Sequence, residues 1–107
     1  MPAHPTRLVR GSRTGRPIMA LLDLLGRRWT LRVLWELRDG PLVFRALQAN
    51  GGGISPTILN RRLAELREAG IVSLRPGDGY ALTPSGRTLL EALAPLNAWA
   101  RAWGRSR

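Results

Sequence analysis

The 107-residue chain has no cysteine, no lysine and a single histidine. Without cysteine there can be no disulfide, no thiolate metal site and no thiol redox sensing. The one imidazole, His4, falls in an N-terminal stretch rather than in the periodic part of the sequence. The seven carboxylates are scattered, no serine sits in a nucleophile elbow, and no glycine-rich loop follows a buried strand as a phosphate cradle requires. Gly51–Gly53 reads as a turn. These absences argue against an enzyme, a bound metal or a cofactor. No apolar run approaches the length of a membrane span. The basic N-terminal residues are not followed by the apolar core of a secretory signal. The expected compartment is therefore the cytoplasm, with no membrane partner.

What is present is positive charge. Seventeen arginines face seven acidic residues, giving a net charge of +10. Such an excess points to a polyanionic partner, nucleic acid first. Guanidinium forks also suit phosphate oxygens and guanine edges better than ammonium groups do. Hydrophobic residues make up 44% of the chain, too many for global disorder. A chain of this length can bury roughly 65% of its unfolded surface around one core.

Residues 1–15, MPAHPTRLVRGSRTG, are poor in apolar residues and rich in Pro, Gly and Arg. They read as a flexible basic arm, either simply solvated or following phosphates into a groove. Residues 16–107 form the folded domain. Pro17 to Leu25 is a short apolar helix with proline near its first position. Trp29–Arg38 is a second helix, apolar on most sides and so expected to be central, with Trp29 and Trp35 in the core. Asp39-Gly40-Pro41 ends it, Leu42-Val43 is long enough only for a small edge strand, and Phe44–Ala49 is a third short helix.

The stretch from Gly53 to Val72, GISPTILNRRLAELREAGIV, carries the most information. Ser55 caps a fourth helix, Pro56 opens it and Gly70 closes it. With Leu59, Leu63 and Leu66 facing inward, Thr57, Arg61, Ala64 and Glu68 face outward and Asn60 and Glu65 flank them. Ile71–Arg75 and Tyr80–Leu82 are two strands around Pro76-Gly77-Asp78-Gly79. Thr83-Pro84 opens a last helix bearing Leu89, Leu93, Leu96, Trp99 and Trp103. The sum is a mainly α fold with a small β-hairpin, a winged helix-turn-helix. In such a fold the early residues of the fourth helix approach base edges. Arg61 suits guanine, Asn60 suits adenine, and Thr57 offers a methyl and a hydroxyl; Ser55 and Arg62 complete the candidate DNA-binding set of this helix.

These segments resemble the HxlR-type winged helix-turn-helix transcriptional regulators. The resemblance runs from Pro17 to about Trp99, through PIMALLDLLGRRWTLRVLWEL, DGPLVFRAL, GISPTILNRRLAELREAGIV and YALTPSGRTLL. It implies a homodimeric bacterial or archaeal regulator whose fourth helix reads double-stranded DNA and whose first and last helices form the dimer interface. Three places depart from the family pattern. Arg16 stands where many members carry a cysteine before the first proline, so thiol sensing is excluded there. The hairpin is several residues shorter than usual. Pro95 lies inside the last helix and is expected to kink or split it.

The remaining candidates have two readings each. Arg62 sits nearer the core edge than Arg61, and suits either a phosphate contact or an internal ion pair with Glu36 or Asp23. Arg28, Arg45 and Arg75 are candidates for the DNA backbone, or plain surface residues. Leu21, Leu89, Leu93, Leu96, Trp99 and Trp103 suit a two-fold subunit interface, since that last helix is too apolar to stay exposed. The two tryptophans also suit a pocket for a small aromatic or hydrophobic effector. The sequence thus points to a sequence-specific DNA-binding regulator, most simply a repressor, acting as a homodimer on a pseudo-palindrome. Its alternatives are an effector-responsive version of the same protein, and an interaction module without specific DNA binding.

Overall fold

A computed structural model gives the structure of residues 16–106. In chain order the elements are α1 (Pro17–Leu25), α2 (Thr30–Glu36), α3 (Phe44–Asn50), α4 (Pro56–Glu68), β1 (Val72–Arg75), β2 (Gly79–Leu82) and α5 (Pro84–Arg105). The expected arm, with His4, Arg7, Arg10 and Arg13, lies outside the described residues.

Local chemistry accounts for most boundaries. Pro17, Pro56 and Pro84 each occupy the first helical turn, where a missing N–H costs nothing. Ser55 Oγ accepts from the Ile58 amide at 3.2 Å and Thr83 Oγ1 from the Gly86 amide at 3.0 Å. Gly70, at φ +78°, lets the chain leave α4 in the left-handed conformation and enter β1. Leu34, Leu37, Leu47, Leu59, Leu63 and Leu66 are essentially inaccessible and form the centre of the core, so α2, α3 and α4 enclose one interior.

β1 and β2 pair antiparallel with Val72 opposite Leu82 and Arg75 opposite Gly79. Val72, Ala81 and Leu82 are buried while Leu74 is exposed. The expected edge strand at Leu42-Val43 is a single bridge, in which Leu42 and Tyr80 exchange backbone hydrogen bonds of 2.9 and 2.8 Å. Gly79 permits that approach: a Cβ there would lie 2.5 Å from the Leu42 carbonyl oxygen.

Three expectations need correction. α2 spans Thr30–Glu36 rather than Trp29–Arg38, because Trp29 has φ +80° and cannot be helical. Trp35 is not a core residue. It is 49% exposed, and the Arg38 guanidinium lies 4.0 Å from its ring centroid. Arg38 also donates to the Trp35 carbonyl at 2.9 Å, so this pair builds a surface stack. Trp29 is half-buried and packs against the core. Finally, Pro95 does not split the last helix, which runs unbroken from Pro84 to Arg105. The proline removes one donor, but both it and Glu91 one turn earlier are exposed, so the freed carbonyl can turn to water.

α5 is rooted at its N-terminal end. Thr83 N–H donates to the Ile71 carbonyl at 3.0 Å and Thr83 Oγ1 donates to the Gly70 carbonyl at 2.6 Å. Gly86 is buried against the Ile71 backbone. Beyond Leu93 every described residue of the helix is exposed.

Candidate nucleic-acid interface

α3, the turn at Gly51–Gly53 and α4 form the helix-turn-helix. Leu59, Leu63 and Leu66 bury one face of α4. That fixes the opposite face: Thr57, Asn60, Arg61, Ala64 and Glu68 are all exposed. The outward row is the one that the periodicity of the sequence requires. Ser55 is exposed as well, but its hydroxyl already serves the helix cap.

The arginines divide into two sets. Among the described residues Arg45, Arg61, Arg67, Arg75, Arg101 and Arg105 are exposed and form no ion pair, and Arg45, Arg61 and Arg75 are the DNA candidates among them. Arg45 lies in the first turn of α3, Arg61 on the outward face of α4, and Arg75 at the end of β1. Their charges are therefore uncompensated by the protein. Arg28 forms no ion pair either, and its guanidinium lies 5.2 Å from the Trp29 ring centroid. The second set is committed internally. Arg32 pairs with Glu36 at 3.0 Å and donates to the Asn50 carbonyl at 2.7 Å.

Arg62 belongs to the second set, in the arrangement of its internal ion-pair reading. Its side chain is only 13% exposed. Nε donates to the Arg28 carbonyl at 2.8 Å, and one terminal nitrogen donates to both Glu65 oxygens at 3.0 and 3.1 Å. The partner is thus Glu65, and neither Glu36 nor Asp23. Glu65 also receives Arg27 at 3.1 Å, and Arg27 in turn reaches Asp23 at 3.2 Å. Burial alone would lower the Arg27 pKa, but Glu65 and Asp23 outweigh it and raise it above its ordinary value. Glu65 is an i,i+3 neighbour on the same helix, a signal present in the sequence; what the sequence could not show is that the α1–α2 turn meets α4 and brings Arg27 and the Arg28 carbonyl to this pair.

The hydrophobic candidates also separate. Leu21, Leu89 and Leu93 are half-buried and pack against the chain's own core. Leu96, Trp99 and Trp103 are 61%, 61% and 49% exposed. The two indole rings stack with centroids 5.9 Å apart and planes 16° apart. On α1, Ile18, Met19 and Leu22 are exposed too, a set the sequence reading missed. Their signal was present: the inward positions Ala20, Leu24 and Leu25 leave a second apolar stripe on the other side of a nine-residue helix. A cavity of about 390 Å³ lies beside Arg28 and Trp29, and a larger one of about 740 Å³ lies between α2 and α5. The larger is walled by Leu31, Trp35, Leu90, Leu93 and Leu96, with Arg38 and Arg87 beside it.

Among the described residues no helix is long and apolar enough to cross a membrane, and no group of His, Cys, Asp or Glu could hold a metal ion.

Comparison with known proteins decides the class. The model of the HxlR-like helix-turn-helix family matches residues 24–107. The chain belongs to that family. A helix-turn-helix-type transcriptional regulator of Methanocaldococcus jannaschii is 29% identical over 89 residues, covering 79% of this chain and 83% of the relative. The quinone-bound YodB of B. subtilis superposes with a TM-score of 0.75 at 32% identity, over 79% of this chain and 96% of that one. A Thermoplasma volcanium protein named a "possible HxlR family transcriptional factor" gives a TM-score of 0.71 at 34% identity, over 79% and 82%. This HxlR-type protein is accordingly a DNA-binding transcriptional regulator and not an enzyme, and its fold is the winged helix of that family.

Proposed function

We propose that this regulator binds a pseudo-palindromic operator as a cytoplasmic homodimer, most simply as a repressor, and that Thr57, Asn60 and Arg61 read its bases. The observation that carries the reading is the division of the arginines. Arg61 projects uncompensated from the exposed face of α4, while its neighbour Arg62 is bound inside. An unpaired guanidinium beside an amide and a hydroxyl is the donor set for major-groove recognition. Arg45 and Arg75 supply sequence-independent attraction to phosphate. Ile18, Met19 and Leu22 on α1, and Leu96, Trp99 and Trp103 on α5, are exposed apolar residues that a two-fold partner would cover. Two copies of α4 would then enter successive major grooves about 34 Å apart.

Fluorescence anisotropy tests this on the DNA upstream of the protein's own gene, against a scrambled duplex and across a salt series. A preference for the native sequence that survives physiological salt supports specific reading. Equal affinities that vanish together as salt rises contradict it.

A second reading adds a small aromatic or hydrophobic effector. It is favoured by the cavity between α2 and α5 and by the quinone held by YodB. The cavity reaches Leu96, Asn97 and Ala100 on α5, but neither Trp99 nor Trp103 lines it; its tryptophan is Trp35. With no cysteine in the chain, a quinone cannot be held through a thiol adduct, so binding here would be non-covalent. Quenching of tryptophan emission by a panel of arenes and quinones tests it. A saturable response that Trp35→Phe abolishes supports the site, and the absence of saturation across the panel counts against it.

A further inference from the structure

The chain Asp23–Arg27–Glu65–Arg62 runs from α1 to the reading helix and ends on the backbone of the turn between α1 and α2. Each link is short, from 2.8 to 3.2 Å. The end point is a particular peptide. Arg62 Nε takes the Arg28 carbonyl, and the next residue, Trp29, is the one non-glycine residue at positive φ among those described. Left-handed backbone in a bulky residue persists only when its surroundings hold it. Trp29 packs against the core, and α4 adds the hydrogen bond from Arg62 to the peptide that precedes it.

We propose that Arg62 and Glu65 are positioning residues: with Arg27 they set the rotation of α4 against the α1–α2 turn, and so place Arg61 and Asn60 for base recognition. The inference rests on the reading of α4 as the DNA-reading helix. Arg62 lies next to Arg61 in sequence, so the two side chains are locked to one helix rotation. A side chain about 6 Å from a helix axis moves about 1 Å for every 10° the helix turns. A bidentate base contact tolerates little of that before its hydrogen bonds lengthen and bend. Glu65 fits the role because it faces two cations at once. Arg62 and Arg27 approach it from its own helix and from the turn, at 3.0 and 3.1 Å. Losing that carboxylate releases both. A phosphate-binding Arg62 would need its guanidinium at the surface, and the structure instead holds it largely buried.

The test compares wild type, Glu65→Gln and Arg62→Gln in the full chain. The probes are a fluorescent duplex carrying the site that wild-type protein selects from a random pool, and a shuffled duplex of the same composition. Affinities are measured from low to physiological salt, with circular dichroism confirming that each variant is folded. The expected result is that both variants lose at least tenfold in the ratio of selected to shuffled affinity. The slope of log K against log salt should stay as in wild type, because neither residue meets phosphate. A lost slope of about one unit in Arg62→Gln, with discrimination kept, would instead mark Arg62 as a phosphate ligand and overturn the proposal. Unchanged discrimination in both variants would reduce the network to a purely structural one, which also overturns it. Should Arg62→Gln fail to fold, Glu65→Gln decides alone, since it keeps size and shape. A wild-type protein that shows no discrimination removes the premise about α4, and that result is separable because it needs no variant.

Discussion

Two glycines of α5 should respond to the same substitution with opposite signs. Gly86 is buried in the first turn, and an added Cβ would collide with the Ile71 carbonyl oxygen. That carbonyl cannot give way cheaply. It accepts the Thr83 amide at 3.0 Å, a bond that roots α5 beside β1. Overpacking a closed site costs about 1–3 kcal/mol. The better helix propensity of alanine returns at most about 1 kcal/mol, and less in a first turn. Gly86→Ala should therefore destabilise by about 1–2 kcal/mol, a Tm decrease of about 4–15 °C for a domain of this size. Gly104 sits near the other end of the same helix with nothing within 4 Å of a Cβ. Gly104→Ala should be neutral or stabilising by about 0.5 kcal/mol. Thermal melts followed by circular dichroism at one fixed protomer concentration measure both, since assembly would make Tm depend on concentration. A Gly86→Ala protein as stable as wild type would show that the α5–wing contact is looser than the structure gives. It would also refute the rooting of α5 through Thr83 and Gly86.

Other substitutions test separate parts of the account. Thr30 is fully buried and its hydroxyl has no hydrogen-bond partner among the described residues, so Thr30→Val, of nearly the same shape, should raise stability by about 1 kcal/mol in urea denaturation; a loss of that size would reveal an acceptor for the hydroxyl. Replacing both Leu96 and Trp99 by serine should shift sedimentation toward the monomer without lowering helix content, because both side chains are already exposed in the single chain; an unchanged sedimentation profile would take them out of the interface. Arg45→Ala should weaken selected and shuffled duplexes alike and lower the salt slope by about one, whereas loss confined to the selected duplex would make Arg45 a base reader.

Where a feature depends on a few adjacent residues, the sequence showed it. Ser55-Pro56 and Thr83-Pro84 are N-cap and first-turn pairs, and both helices start there. The leucines at 59, 63 and 66 defined the dry face of α4 and thereby the outward position of Thr57, Asn60 and Arg61. Features set by tertiary closure were hidden. Nothing local marks Trp29 for a left-handed conformation, since propensity disfavours it there and the surroundings override that preference. Trp35 follows the helical apolar pattern, yet it lies outside because α5 leaves a cavity over it and Arg38 covers its ring. Arg27 as the second partner of Glu65, and the Arg28 carbonyl as acceptor for Arg62, required knowing that the α1–α2 turn meets α4. Pro95 does not split the helix, which continues through it with an exposed flank.

The central claim is that the outward face of α4 reads bases, and selection from a random duplex pool tests it most directly. Wild type and Arg61→Ala would be carried through the same selection at physiological salt. Wild type should return an inverted repeat with half-sites about 10 base pairs apart, centre to centre. Arg61→Ala should return the same repeat with one position relaxed in each half-site, at a cost of roughly 1–3 kcal/mol on the wild-type site. Identical motifs from both proteins, or no motif from either, would contradict it.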